Sequence, residues 1–314
     1  MILEETFVDS SSMDNNNNKN ELSTLSAEPI TNINGWTHAS VNGDSSNGDA
    51  SLNREMILDD SSSIQPTDLA KIYEQVYSYA ETPNPLQASV KHSLEIIEEA
   101  LNRYGANGLA LSFNGGKDCT VLLHLFSAAL YKFTQKFGEK IPKIQCVYIT
   151  PPNPFAEVDT FVEESIRRYG LDLIKLKGPM KQALASYLKQ RPSVKGILVV
   201  HLSDFAPTDP GWPNFMRIHP ILDWHYNQIW EFLRNLKVPY CDLYNLGYTS
   251  LGSTVNTRAN PDLRNPNNPN GFDPAWKLTD ESKERSGRAA ETYTTKTIPS
   301  NSTTSVITTK DESN

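Results

Sequence analysis

Cysteine is scarce in this chain, and long apolar runs are missing. Only Cys119, Cys146 and Cys241 occur among 314 residues, an odd and widely spaced set. They form no C-x-x-C pair, so neither a zinc knuckle nor a dithiol redox motif is present, and so sparse a set points to a reducing compartment. No apolar stretch approaches the roughly 20 residues that a membrane-crossing helix requires. Basic residues are almost absent at the start: the first 66 residues hold only Lys19 and Arg54 against eleven acidic side chains, a net charge of −9. That balance argues against both the cationic start of a secretory signal and an arginine-rich transit peptide. The expected location is cytoplasmic. Because the whole chain carries −8, the rest sums to +1. A near-neutral core has no general attraction for nucleic acid, which needs excess lysine and arginine. Neither nucleic acid nor membrane is expected as a partner, and nothing in the sequence names a protein partner.

Composition divides the chain in three. Residues 1–66 contain "SSSMDNNNN" and "VNGDSSNGDASLN", and 289–314 is a serine- and threonine-rich tail. Low hydrophobicity cannot repay the entropy of ordering, so both ends are expected to be disordered. The folded part is expected over 67–288. There the elements alternate. "LQASVKHSLEIIEEALNRYG" predicts a helix closed by Gly105, "GLALSF" a strand, Lys117 to about Phe137 a helix and "KIQCVYIT" a strand. Then "FAEVDTFVEESIRRYG" reads as helix, "LDLIKLK" as strand, "MKQALASYLKQ" as helix and "KGILVVHL" as strand. Strands joined by helices of this length make right-handed crossovers. The fold class expected is α/β, a mainly parallel sheet covered by helices on both faces. Beyond Leu202 the alternation stops in a proline-rich loop, and "HYNQIWEFLRN" resumes as helix, with Trp230 and Phe232 packing the core.

The stretch "LSFNGGKDCTVLLHLF" sets two glycines, a lysine and an aspartate between a strand and a helix. Paired glycines open the backbone to unusual dihedrals and leave no β-carbon between amides and a ligand. The first N–H groups of the following helix lack intrahelical partners and lie at its positive end, which suits a phosphate. The turn is too short for G-x-x-x-x-G-K-[ST] and does not fit G-x-G-x-x-G. In the later loop, Asp209, Trp212 and Arg217 put a flat ring beside both charge signs, which suits a planar polar heterocycle as well as it suits a solvated loop.

Together, "SFNGGKD", "PTDPGWPNFMRIHPILDW", "IWEFLRNLKVPYCDLYNLGYTSLGS" and "PAWKLTDESKERSGR" closely resemble the eukaryotic-type FAD synthases. These are FMN adenylyltransferases of the PAPS reductase-like, ATP-pyrophosphatase-type fold. The resemblance covers about 70 to 288. It implies the reaction of FMN with ATP and Mg²⁺ to give FAD and pyrophosphate. It implies also that Asn114, Gly115, Gly116 and Lys117, beside Ser112, cradle ATP phosphates and that Asp118 holds Mg²⁺. Arg285 and Arg288 resemble the family's triphosphate pair, three apart and on one face if the segment is helical. By the same resemblance Asp209, Trp212 and Arg217 line the flavin site, and adenine meets the backbone near Tyr148 and Ile149.

One departure stands out. Family members carry G-x-R-x-x-D-P directly after the fourth strand, and here "KGILVVHL" runs through "SDF" into "APTDPGWP". Either the chain is a variant made by splicing or gene-model error, or His201, Ser203 and Asp204 stand in for the lost arginine and aspartate; the alternative function is that of a weak or silent flavin and nucleotide binder. A PAPS reductase-like enzyme is the remaining alternative. It would need a reactive cysteine in a late C-G-I-H-like segment, a setting that Cys241 in "VPYCDLYN" lacks.

Overall fold

The computed structural model describes residues 66–138, 140–200 and 204–289. The two expected tails lie outside the described residues except for Pro66 and Ala289. Helices α1 (Pro66–Glu81) and α2 (Gln87–Tyr104) precede strand β1 (Leu109–Ser112). The expected alternation follows as α3 (Lys117–Phe137), β2 (Ile144–Ile149), α4 (Ala156–Tyr169), β3 (Leu171–Leu176), α5 (Met180–Gln190) and β4 (Gly196–Leu198). Then come β5 (Phe205–Pro207), β6 (Met216–Ile218) and α6 (Tyr226–Asn235).

The six strands are ordered β3-β2-β1-β4-β6-β5, all parallel except β5, which runs antiparallel to β6. The chain winds outward from β1 through β2 to β3, then returns to the other side of β1 as β4. That reversal is the point where open α/β sheets leave a crevice beyond the strand ends.

Alternation along the strands separates two faces. Leu109, Leu111, Cys146, Tyr148, Leu198 and Ile218 belong to the main core with α1, α2, α3, α4 and α6. There α3 is buried nearly all round, which accounts for its long apolar run. Ala110, Ser112, Val147, Ile197, Val199 and Arg217 alternate with those residues and face the other way, toward α5. Helix α5 lies on that second face, with Arg191 at its end bonding Asp172 on β3 at 2.7 and 2.8 Å. Both faces are therefore covered.

Three details differ from the sequence reading. The domain boundary at 66 cuts the first residue from α1, whose Leu69, Val76 and Ala80 are buried at helical spacing. The loop after Leu202 contains a hairpin, β5 and β6, because Met216 and Ile218 pack into the main core while Arg217 turns to the α5 side of the sheet, a period of two too short to stand out among prolines. The strand read over "KGILVVHL" is regular only over Gly196–Leu198, and residues 201–203 lie outside the described set. In α6, Trp230 and Phe232 are core residues as expected.

Candidate active site

The glycine turn leaves β1 beside the sheet's reversal point. Pairing with β2 persists to its edge, where the Phe113 amide donates to the Val147 carbonyl at 3.0 Å. Gly115 has φ of +75°, and a β-carbon there would come within 3.2 Å of Val158 and Val162 on α4. The positive φ demands glycine, and the close approach to α4 adds to that preference. Asn114 braces the turn internally: its Oδ1 accepts from the Gly116 amide and from Cys119 Sγ, each at 3.0 Å. At the start of α3, the Lys117 amide donates to Tyr244 Oη at 2.8 Å. The amides of Asp118 and Cys119 have no hydrogen-bond partner among the described residues, so they are the donors an anion would meet at the helix's positive end.

Lys117 is less available than the resemblance implies. Its side chain is only 2% exposed, and its Nζ donates to Asp118 Oδ2 at 3.0 Å and to Glu284 Oε1. The Tyr226 ring lies 5.1 Å from the same nitrogen. Burial disfavours the charged ammonium, but Asp118 and Glu284 outweigh it and hold the group protonated above its ordinary range. Asp118 itself keeps 36% of its side chain exposed at the mouth of the turn.

The carboxyl-terminal segment closes onto this turn without forming a helix. One 3₁₀ turn over Glu281–Lys283 is followed by a tight turn in which the Arg288 amide donates to the Arg285 carbonyl at 2.8 Å. The two arginines therefore do not share a helical face. Arg285 is exposed, whereas Arg288 donates to the Leu251 carbonyl at 3.1 Å and lies against Gly252, where a β-carbon would meet its guanidinium at 2.5 Å. The segment is pinned at several other points. The Thr249 hydroxyl donates to the Glu284 carbonyl at 2.5 Å, the Asn260 amide group to the Lys283 carbonyl at 2.8 Å, and Lys283 pairs with Asp262 at 2.8 Å. Glu281 accepts from the Tyr226 amide at 3.2 Å and lies 3.1 Å from His225 Nδ1.

The flavin candidates sit on the β5–β6 hairpin. Its connecting turn, 208–215, leaves the sheet at the edge where the parallel strands begin, and the Trp212 amide closes it on the Asp209 carbonyl at 3.0 Å. Arg217 braces the hairpin, donating to the Pro207 carbonyl at 2.8 Å and to Asp209 Oδ2 at 3.3 Å. Direct contact between these residues and the glycine turn is absent among the described residues. Arg217 nevertheless stands in register with Ile197 and Ala110, on the sheet face that Ser112 shares. Tyr148 turns into the main core, leaving Ile149 on the α5 side at the end of β2. Of the three stand-in candidates, His201 and Ser203 lie outside the described residues, and the Asp204 carboxylate lies 3.9 Å from His92. Among the described residues, no cluster of three or more His, Cys, Asp or Glu could hold a metal by itself.

Glu284, Tyr244 and Tyr226 were not legible as site residues, because they lie over a hundred positions from the turn they touch. Glu284 at least adjoins Arg285 in the quoted "KERSGR". The reductase alternative finds no nucleophile: Cys241 is fully buried, and burial pushes its thiol up to about 11.

Residues 108–195 and 202–259 match the family model described as phosphoadenosine phosphosulfate reductase domain. A probable FAD synthase of Schizosaccharomyces pombe is 42% identical over 216 residues, 65% of this chain and 80% of that protein. A Caenorhabditis elegans probable FAD synthase is 38% identical over 206 residues, 62% of this chain and 39% of that longer protein. The structure of Candida glabrata FMN adenylyltransferase in complex with FMN and the ATP analogue AMPCPP superposes with a TM-score of 0.66 at 26% identity, covering 73% of this chain and 98% of that one.

Proposed function

The chain belongs to the FAD synthase family, and from that premise we propose that it transfers the adenylyl group of ATP to FMN. An FMN phosphate oxygen attacks the α-phosphorus in line. A new P–O bond forms as the bond from the α-phosphorus to the bridging oxygen breaks, and pyrophosphate leaves with that electron pair. The attacking group is already anionic, so no general base is needed, and the chain's work is positioning and charge neutralisation. The observation that carries the reading is the glycine turn at the sheet's reversal point with the "KERSGR" segment closed onto it.

In this reading the amides at the start of α3 receive phosphate, Asn114 fixes the turn, and Arg285 and Arg288 face the triphosphate. Asp118 fits Mg²⁺, since one partly exposed carboxylate completed by phosphate oxygens and water is the donor set that ion prefers. When bound, the ion would neutralise charge developing on the phosphates. Asp209, Trp212 and Arg217 receive the flavin at the β5–β6 hairpin. A cytoplasmic location belongs to the same proposal, supported by three buried cysteines that carry free thiols.

The test is incubation of the purified chain with FMN, ATP and Mg²⁺, with FAD read by chromatography. Asp118→Ala should abolish adenylyl transfer while the chain still folds, its melting temperature lowered because the buried Lys117 ammonium loses one of its two counter-charges. Normal turnover in that variant would reduce the turn to a structural role. The missing segment after β4 favours a second reading, a silent binder, and flavin binding without FAD formation would establish it.

A further inference from the structure

Glu284 belongs to no motif reading of the site, yet it is the residue through which the carboxyl-terminal segment reaches the glycine turn. Its Oε1 accepts from Lys117 Nζ, and the same nitrogen donates to Asp118 Oδ2 at 3.0 Å. One ammonium thus bridges two carboxylates. Lys117 is fully buried, so it cannot exchange either partner for water without a large desolvation cost. Asp118 and Glu284 keep 36% and 28% of their side chains exposed, so both carboxylates border the open side of the turn.

We infer that Glu284 is a positioning residue for the adenylyl transfer proposed above: by sharing the Lys117 ammonium, it sets how firmly that ammonium draws on Asp118. With Glu284 present, the buried charge is balanced from two sides, and Asp118 commits one oxygen while its carboxylate stays directed at the phosphate mouth. Without it, the whole demand of the buried ammonium falls on Asp118. The carboxylate is then pulled inward and its charge is spent on Lys117, at the expense of a magnesium ion outside. Glu284 acts through Lys117 and needs no contact with substrate.

A purely mechanical alternative would make Glu284 one more pin of the segment. The fold supplies the control. Glu281 pins the same segment to the start of α6 without touching Lys117, and Thr249, Asn260 and Asp262 hold the neighbouring residues.

The experiment compares Glu284→Gln, Glu284→Asp and Glu281→Gln with the parent chain. Three quantities are read: kcat and KM for ATP, the Mg²⁺ concentration giving half-maximal rate, and calorimetric binding of Mg²⁺–ATP. Groups that orient a metal ligand through its hydrogen-bonding partners typically carry 10- to 100-fold effects. Glu284→Gln should accordingly lower kcat and raise the Mg²⁺ requirement by roughly 10-fold or more, weaken Mg²⁺–ATP, lower the melting temperature because the buried ammonium loses one counter-charge, and leave FMN binding near the parent. Glu284→Asp should recover part of the loss, and Glu281→Gln should match the parent. Equal losses in Glu284→Gln and Glu281→Gln would overturn the inference, as would a Glu284→Gln variant with an unchanged Mg²⁺ requirement. A parent chain that makes no FAD would retire the proposed function alone. Calorimetry then decides the inference: weakened Mg²⁺–ATP only in Glu284→Gln upholds it, and no difference or no binding overturns it.

Discussion

His124 shows what one buried ring does to stability. It sits within α3, its Nδ1 lies 3.0 Å from Tyr169 Oη, and Phe232 meets it edge-on at 6.0 Å. Burial, with a smaller contribution from Arg168, pushes its pKa down to about 3 from the ordinary 6.5. Between those values the unfolded chain binds the proton and the folded chain does not, so acid favours unfolding. The contribution is complete above pH 6.5 and is lost as pH falls toward 3. One such proton gives a slope of at most about 1.4 kcal/mol per pH unit. Urea unfolding at several pH values from 7.5 to 4.5 should show His124→Gln losing stability less steeply than the parent. Parallel curves would mean that His124 is protonated in the fold.

At the scale of an element, the β5–β6 hairpin is held by Arg217, whose guanidinium joins the Pro207 carbonyl to the Asp209 carboxylate. The turn's own closure runs through the Trp212 backbone, which survives replacement of the indole. Trp212→Ala therefore removes a ring face and leaves the hairpin standing. If the indole receives the flavin, FMN affinity should fall by roughly 10- to 100-fold, the worth of an aromatic stack, while ATP affinity stays within about twofold. Quenching of FMN fluorescence reads the first and calorimetry the second. Equal losses of both ligands would assign Trp212 to packing.

For the whole molecule, what matters is where the chain reverses. β4 lies directly beside β1, so its carboxyl end at Leu198 adjoins the end of β1 from which the glycine turn leaves, at the crevice where such sheets bind ligands. Loss of an arginine there should depress turnover more than affinity, because a charge contact counts most when charge is redistributed. Inserting a G-x-R-x-x-D-P segment after Val200 should raise the rate of FAD formation by about 100- to 1,000-fold, the value of one well-placed donor, with flavin affinity changing far less. Equal turnover with and without the insertion would show that the shorter connection already supplies the contact.

The local pieces were readable from neighbouring residues alone. Val121, Leu122, Leu125 and Phe126 at helical spacing marked α3, and the two glycines between strand and helix marked the turn, because backbone freedom and hydrophobic period are properties of neighbouring residues. Alternation of strands with helices carried the parallel sheet, since crossover length and handedness leave few topologies. The hairpin after β4 escaped, its three-residue strands being too short for a period to emerge among prolines. The spacing of Arg285 and Arg288 suggested a shared face, but the segment is a tight turn whose shape is set by Gly252, Asn260 and Thr249. The Lys117, Asp118 and Glu284 network was decided only by tertiary structure. A buried ammonium must be balanced by whichever carboxylate the fold delivers, and here the second one arrives from 167 residues along the chain.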